Sequence, residues 1–165
     1  MAITKSMHKK LLTQVKHEWE AEFYYLSMMA WCLNHDYDGF GTWFQNHANE
    51  ERIHGMKILK YLNEIDLDIS IPSVTLRPKK FTSVVQLFKT ALDHECQVTE
   101  WIHELVAQSV REKDFRTQNF LQWYVVSQHL VGELGMDGFG ELPGLVQVGG
   151  TGLAPDQIAM GRVGK

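Results

Sequence analysis

The chain has 165 residues and a mass of 19.0 kDa, the size of one domain. Its 44% hydrophobic and 22% charged content with four prolines excludes disordered or collagen-like chains, and a net charge of −4 excludes a nucleic-acid surface. No apolar run reaches about 18 residues, the opening MAITKSMHKK has no signal-peptide core, and two cysteines are too few for a disulfide scaffold, so no membrane partner and a cytoplasmic location are expected.

Residues from about Lys5 to Asn34 hold no Gly or Pro and predict a first helix. His35 to Gly39 reads as a turn, with Asp38 as cap for a second helix from about Phe40 to Glu64. Leu67 to Lys80 contains Pro72 and Pro78 and reads as an extended connection. A third helix starts near Ser83, capped by Thr82 or Ser83, and reaches about Glu112; Asp114 caps a fourth, to about Leu134. Ten of the 13 glycines lie from Gly132 onward, so an irregular Gly-rich tail follows. A helix of about 27 residues is roughly 40 Å long, and about 14 extended residues span roughly 45 Å. The connection can therefore run the length of a helix. The expected fold is all-α: a four-helix bundle of two antiparallel pairs joined by a long crossover, over residues 1–134, with the tail at 135–165. A plain up-down bundle would not need so long a connector.

Inward stripes at spacings of three and four carry the chemistry. They read Leu11, Val15, Glu18, Glu22, Tyr25, Met29 in the first helix and Phe40, Phe44, His47, Glu51, His54, Ile58 in the second. The third gives Val85, Phe88, Leu92, Glu95, Thr99, Ile102, Val106, and the fourth Leu121, Tyr124, Gln128, Val131. Glu18, Glu51, Glu95 and Gln128 fall at mid-helix, so they share one level of the core. Carboxylates there repel one another and are costly to desolvate, unless a metal gathers them. Glu51-x-x-His54 places a carboxylate and an imidazole one turn apart on one face, as in di-iron carboxylate bundles. The same spacing at Glu100 and His103 lies off the stripe and reads as a solvated face. A structural polar core is the competing reading, but no stripe contains a Lys or Arg partner. His47 reads as a neighbour of the ligands, Met28, Met29 and Met56 as packing residues, and Cys32 and Cys96 as inert.

With these residues in view, the chain resembles the non-haem bacterial ferritins over about residues 5 to 129. The matching stretches are HEWEAEFYYLSMMAW, GFGTWFQNHANEERIH, IPSVTLRP, LDHECQVT and DFRTQNFLQWYVVSQH. The resemblance implies shells of 24 subunits, oxidation of Fe(II) by O2 or peroxide at an intrasubunit di-iron centre, and storage of ferric mineral. It implies Glu18, Glu51 and His54 at a first iron, Glu51 bridging to a second iron bound by Glu95 with Gln128 close by, Tyr25 beside the centre, and Glu50 at an accessory third iron. No haem is implied: Arg52 stands where bacterioferritins carry the haem methionine.

Two departures qualify this. Where the family usually reads Glu-Gln-x-Glu-Glu, this chain has Ser127-Gln128-His129-Leu130-Val131. The carboxylate expected for the second iron is missing at Val131, and two for the third at Ser127 and Leu130. Glu22, one turn from Glu18, is an added acid and a candidate substitute ligand. The Gly-rich tail with Pro155 stands where the family has a short fifth helix. The expectation is an iron-storage ferroxidase with a weakened centre; the alternative is a structural, mineral-nucleating shell subunit with little ferroxidase activity. A di-iron peroxidase of the rubrerythrin kind would carry a Cys-x-x-Cys iron domain, which is absent here. A DNA-protecting mini-ferritin would carry its iron site between subunits.

Overall fold

The computed structural model describes residues 3–75 and 80–126. It contains α1 (Lys5–Leu33), α2 (Asp38–Glu64), α3 (Val84–Arg111) and α4 (residues 115–126, where the described residues end). The expected continuation of α4 to Leu134, the boundary at 134/135 and the Gly-rich tail lie outside the described residues. Among the described residues no helix is long and apolar enough to cross a membrane.

The helix ends follow local chemistry. Thr4 caps α1 by accepting from the Met7 amide, and Ser83 caps α3 by accepting from Gln86. Asp114 caps α4, its Oδ1 accepting from the Thr117 amide at 3.1 Å. Asp38 is not the cap expected for α2. It is the first helical residue, Tyr37 precedes it without a side-chain bond, and its carboxylate favours the positive helix start. Each of α1, α2 and α3 closes with a bond that reaches back five residues: Tyr37 N to Cys32 O, Leu67 N to Leu62 O and Asp114 N to Ser109 O. The residue inside each closure is left-handed, at Asp36, Asp66 and Lys113, with φ between 56 and 61°.

The helix directions follow from which residues meet. Thr4 bonds Glu112, His17 stacks on Trp101, Tyr25 donates to Glu95 and Trp31 donates to Phe81, so α1 and α3 are antiparallel. On the other side Tyr124 reaches His54, and Tyr61 reaches Thr117, so α2 and α4 are antiparallel. Trp19 against Gly55 and Leu33 against Gly41 give the same sense to α1 and α2. It follows that α2 and α3 run in the same direction. The chain leaving α2 must return along the whole bundle before α3 can start. The connection does this along α1: the Asp68 carbonyl meets the His8 ring at 2.9 Å, the Thr75 amide lies 3.4 Å from Glu20, and Phe81 meets Trp31. The expected crossover is the one found.

Two apolar clusters fill the bundle. One gathers Met7, Leu11, Val15, Ile58, Leu62, Ile102, Leu121 and Tyr124. The other gathers Tyr25, Met28, Cys32, Phe44, Leu87 and Phe88. Between them lies a polar layer from α1, α2 and α3. The stripe expected for α3 is corrected in phase. Val85 and Leu92 are exposed, while Leu87, Ala91, Val98 and Leu105 are buried. The expected ladder runs one residue off the core at every second step, although Phe88 and Ile102 lie on it. Met56 is exposed rather than packed, and Met29 only half-buried.

Candidate metal centre

Three ligand-type side chains converge in the polar layer. Glu18 from α1 is fully buried, and Glu51 and His54 from α2 are nearly so. One ligand atom from each lies within 4.8 Å of the others. His54 Nδ1 is 3.3 Å from Glu51 Oε2 and 3.6 Å from Glu18 Oε2. None of these three atoms has a hydrogen-bond partner of good geometry. Orphaned buried polar atoms are rare and costly, so atoms aimed at a common point mark a site for a cation.

The electrostatics fit a cluster whose buried charges are balanced by protons. Burial alone would lower His54, but Glu18 and Glu51 outweigh it and carry the imidazole up to about 10. Burial raises Glu51 well above the ordinary carboxylate range, with Glu18 and Glu95 pushing the same way. Burial also opposes the charge on Glu18, yet contacts with His54, Glu51 and Gln14 win and hold it below its usual value. Glu18 thus carries the charge, His54 the proton, and Glu51 takes up a proton readily.

Glu95 on α3 is half-buried and linked to Tyr25, whose hydroxyl donates to Glu95 Oε1. Burial raises Glu95, with Glu18 adding to the effect. Burial and the adjacent Glu95 raise the Tyr25 phenol well above its normal value, so it stays a donor. Glu95 and Tyr25 therefore border the cluster of three. Glu50 is exposed and is not one of the cluster of three, but its charge bears on Tyr25, His47 and Glu95 beside it. His47 is half-buried, with Nδ1 on the Trp43 carbonyl at 3.1 Å and its ring 5.6 Å from Tyr25. Glu100 and His103 are exposed, as a solvated face requires. Gln128, with Ser127, Leu130 and Val131, lies outside the described residues.

Glu22 is buried but bound to Arg52, whose Nε and Nη2 reach its Oε1 at 2.8 and 2.5 Å. The stripes contain no cation; this one comes from beside the stripe, on a side chain long enough to reach in from the surface. Sequence reasoning misses two further residues. Gln14, one turn before Glu18, donates to Glu18 Oε1 at 2.8 Å. Tyr124, which reads only as core, donates its hydroxyl to the His54 carbonyl, tying α4 to the helix that carries two ligands. The four-residue spacing from Gln14 to Glu18 is visible in the sequence; the direction of the Tyr124 hydroxyl is not.

Residues 8–130 match the family model of the ferritin-like domain. The bacterial non-heme ferritin of Campylobacter jejuni is 38% identical over 127 residues, covering 77% of this chain and 76% of that protein. Its counterpart in Staphylococcus aureus is 32% identical over 126 residues, covering 76% of each. Among solved structures, a Chlorobium tepidum ferritin aligns with a TM-score of 0.80 at 36% identity, over 84% of this chain and 85% of that one. An open-pore ferritin from Archaeoglobus fulgidus aligns with a TM-score of 0.81 at 33% identity, over 86% of each.

Proposed function

Because the chain belongs to the ferritin family, we propose that it stores iron and oxidises Fe(II) at the mid-bundle layer. The observation that carries this reading is the convergence of Glu18, Glu51 and His54, with ligand atoms within 4.8 Å and no hydrogen-bond partners. Iron is the substrate. A first Fe(II) binds Glu18, Glu51 and His54. A second binds between Glu51 and Glu95, with Gln128 beside it. Two Fe(II) ions give one electron each, enough to reduce O2 to hydrogen peroxide, or peroxide to two waters, with two protons consumed. Carboxylates favour the ferric product because hard cations prefer charged oxygen ligands. The product then passes to the cavity of a 24-subunit shell.

The chain's own groups prepare each step. His54 must give up its proton before its Nδ1 can hold iron. Glu51 loses its proton to become a bridge. Tyr25 holds Glu95 at the edge until the second iron draws that carboxylate in. The second position lacks the carboxylate expected at Val131, so we assign the weakness to that iron and expect oxidation slower than in a complete centre. Glu22, already neutralised by Arg52, is a poorer substitute ligand than its place on the stripe implies. Glu50 stays a candidate for a third iron.

Stopped-flow mixing of Fe(II) with the aerobic protein tests this reading. The expected result is slow oxidation lost in Glu51→Ala; a fast phase consuming two irons per chain would overturn the weakness. The missing fourth-helix carboxylates favour one other reading, a shell subunit that nucleates mineral without oxidising iron. Iron uptake unchanged in Glu51→Ala would establish that reading instead.

A further inference from the structure

We propose that Gln14 is a positioning residue for the first iron: its amide takes one oxygen of Glu18 and so commits the other to the metal. This rests on the iron reading above and deepens it. Glu18 has two carboxylate oxygens with different surroundings. Oε1 accepts from Gln14 Nε2 at 2.8 Å. Oε2 has no hydrogen-bond partner and is the oxygen that faces His54 Nδ1, at 3.6 Å. The orientation of the Gln14 amide is settled by its partner, since an ionised carboxylate accepts only and must be met by NH2.

Gln14 is 2% exposed and stands among Leu11, Val15 and Glu18 on the buried face of α1. A glutamine at that depth needs its partner, and Glu18 supplies it. The constraint runs in both directions. With Oε1 held along the helix by a residue four positions earlier, the carboxylate cannot swing to offer both oxygens to one ion. Glu18 is thereby limited to one bond, which leaves room for Glu51 and His54 on the same ion. Outer partners of this kind fix ligand orientation, and their loss typically weakens metal binding about 10- to 100-fold.

The test is anaerobic titration of the whole protein with Co(II), followed by its d–d absorption. Gln14→Met keeps the length of the side chain and removes the donor. Its first Co(II) should bind about 10- to 100-fold more weakly than in the parent. The d–d bands should also change in intensity, because a carboxylate free to chelate raises the coordination number. Far-ultraviolet dichroism of the variant must match the parent. If it does not, Gln14→Leu, which also lacks the donor and suits a buried helix position, replaces it in the same comparison. In a Glu18→Gln background, Gln14→Met should have no further effect on affinity. Unchanged affinity and bands in Gln14→Met, with binding lost in Glu51→Ala, would keep the iron site and overturn the role of Gln14. Cobalt bound equally well by Glu51→Ala would overturn both.

Discussion

Gly55 is the neighbour of His54, and Trp19 is the neighbour of Glu18; the two meet across the α1–α2 contact. A Cβ built on Gly55 would lie 2.5 Å from Trp19 Nε1, 2.9 Å from Cδ1 and 3.1 Å from Cε2. Comfortable contact between such atoms needs about 3.5 Å, so Gly55→Ala requires a shift of roughly 1 Å. Trp19 is half-buried and packed on an apolar cluster, so the indole cannot simply swing into solvent. Overpacking of this kind costs about 1–3 kcal/mol, and replacing a mid-helix glycine returns about 1 kcal/mol. The net change is about 0–2 kcal/mol, or a fall of up to roughly 8 °C in melting temperature for a chain of this size. The effect on function should be larger, because the wedge opens the two helices at the level of the ligands. A misplacement of about 1 Å can cost roughly 100-fold in rate. Gly39→Ala is the control, since a Cβ at that position would meet nothing within 4 Å. Thermal melts and stopped-flow Fe(II) oxidation decide the matter. If Gly55→Ala melts no lower than Gly39→Ala and oxidises iron at the parent rate, the close contact does not hold the ligands in place.

Two further outcomes are expected. His54, raised to about 10 by Glu18 and Glu51 against the pull of burial, stabilises the metal-free fold below its ordinary value near 6.5 and loses that contribution as pH rises through about 10. Anaerobic Zn(II) titrations at pH 7 in buffers of different ionisation enthalpy should therefore register release of about one proton or more per chain; heats independent of buffer would refute this. Arg52→Met should lower the thermal midpoint, because Glu22 is left buried without its cation. The double variant Glu22→Gln/Arg52→Met should recover most of the loss, and a double variant no better than Arg52→Met would show that the pair is not what holds these helices together.

The stripes of α1 and α2 are readable because their apolar residues run on both sides of the acids. Leu11 and Val15 below Glu18, and Tyr25 above it, fix its direction, as Phe44 and Ile58 do for Glu51 and His54. In α3 the signal is ambiguous. Val85 and Leu92 are apolar and fit the spacing, but Leu87, Ala91 and Val98 fit a stripe one step round the helix. Packing against the other helices chooses between them, and it leaves Val85 and Leu92 exposed. The crossover is readable from length and Pro72, although its course along α1 depends on contacts such as His8 with Asp68. Arg52 escapes stripe reasoning because that reasoning assigns a residue to one face, whereas an arginine side chain can cross from one face to the next. The helix ends at Asp36, Asp66 and Lys113 lack the glycine that usually marks a left-handed closure; aspartate tolerates that conformation and gives a weak signal at the first two, and lysine gives none at the third.

The polar layer balances the charge of the acids it buries. Three carboxylates, Glu18, Glu51 and Glu95, lie between two apolar clusters, and burial drives two of them toward the protonated form. The proton on His54 offsets the charge of Glu18, and the Tyr25 hydroxyl satisfies Glu95. Glu22 drops out of this balance because Arg52 neutralises it from outside. Protons thus offset the buried charges, and in the function proposed above iron would enter by exchanging with them rather than by rebuilding the core. The exchange is uneven between the two positions. Glu18, Glu51 and His54 come from α1 and α2 alone. In the proposed centre Glu95 must in addition loosen its bond to Tyr25, and the sequence has Val rather than a carboxylate at position 131 for the second iron. The first iron should then bind much like that of a complete centre, and the deficit should fall on the second and on the two-electron step that needs both.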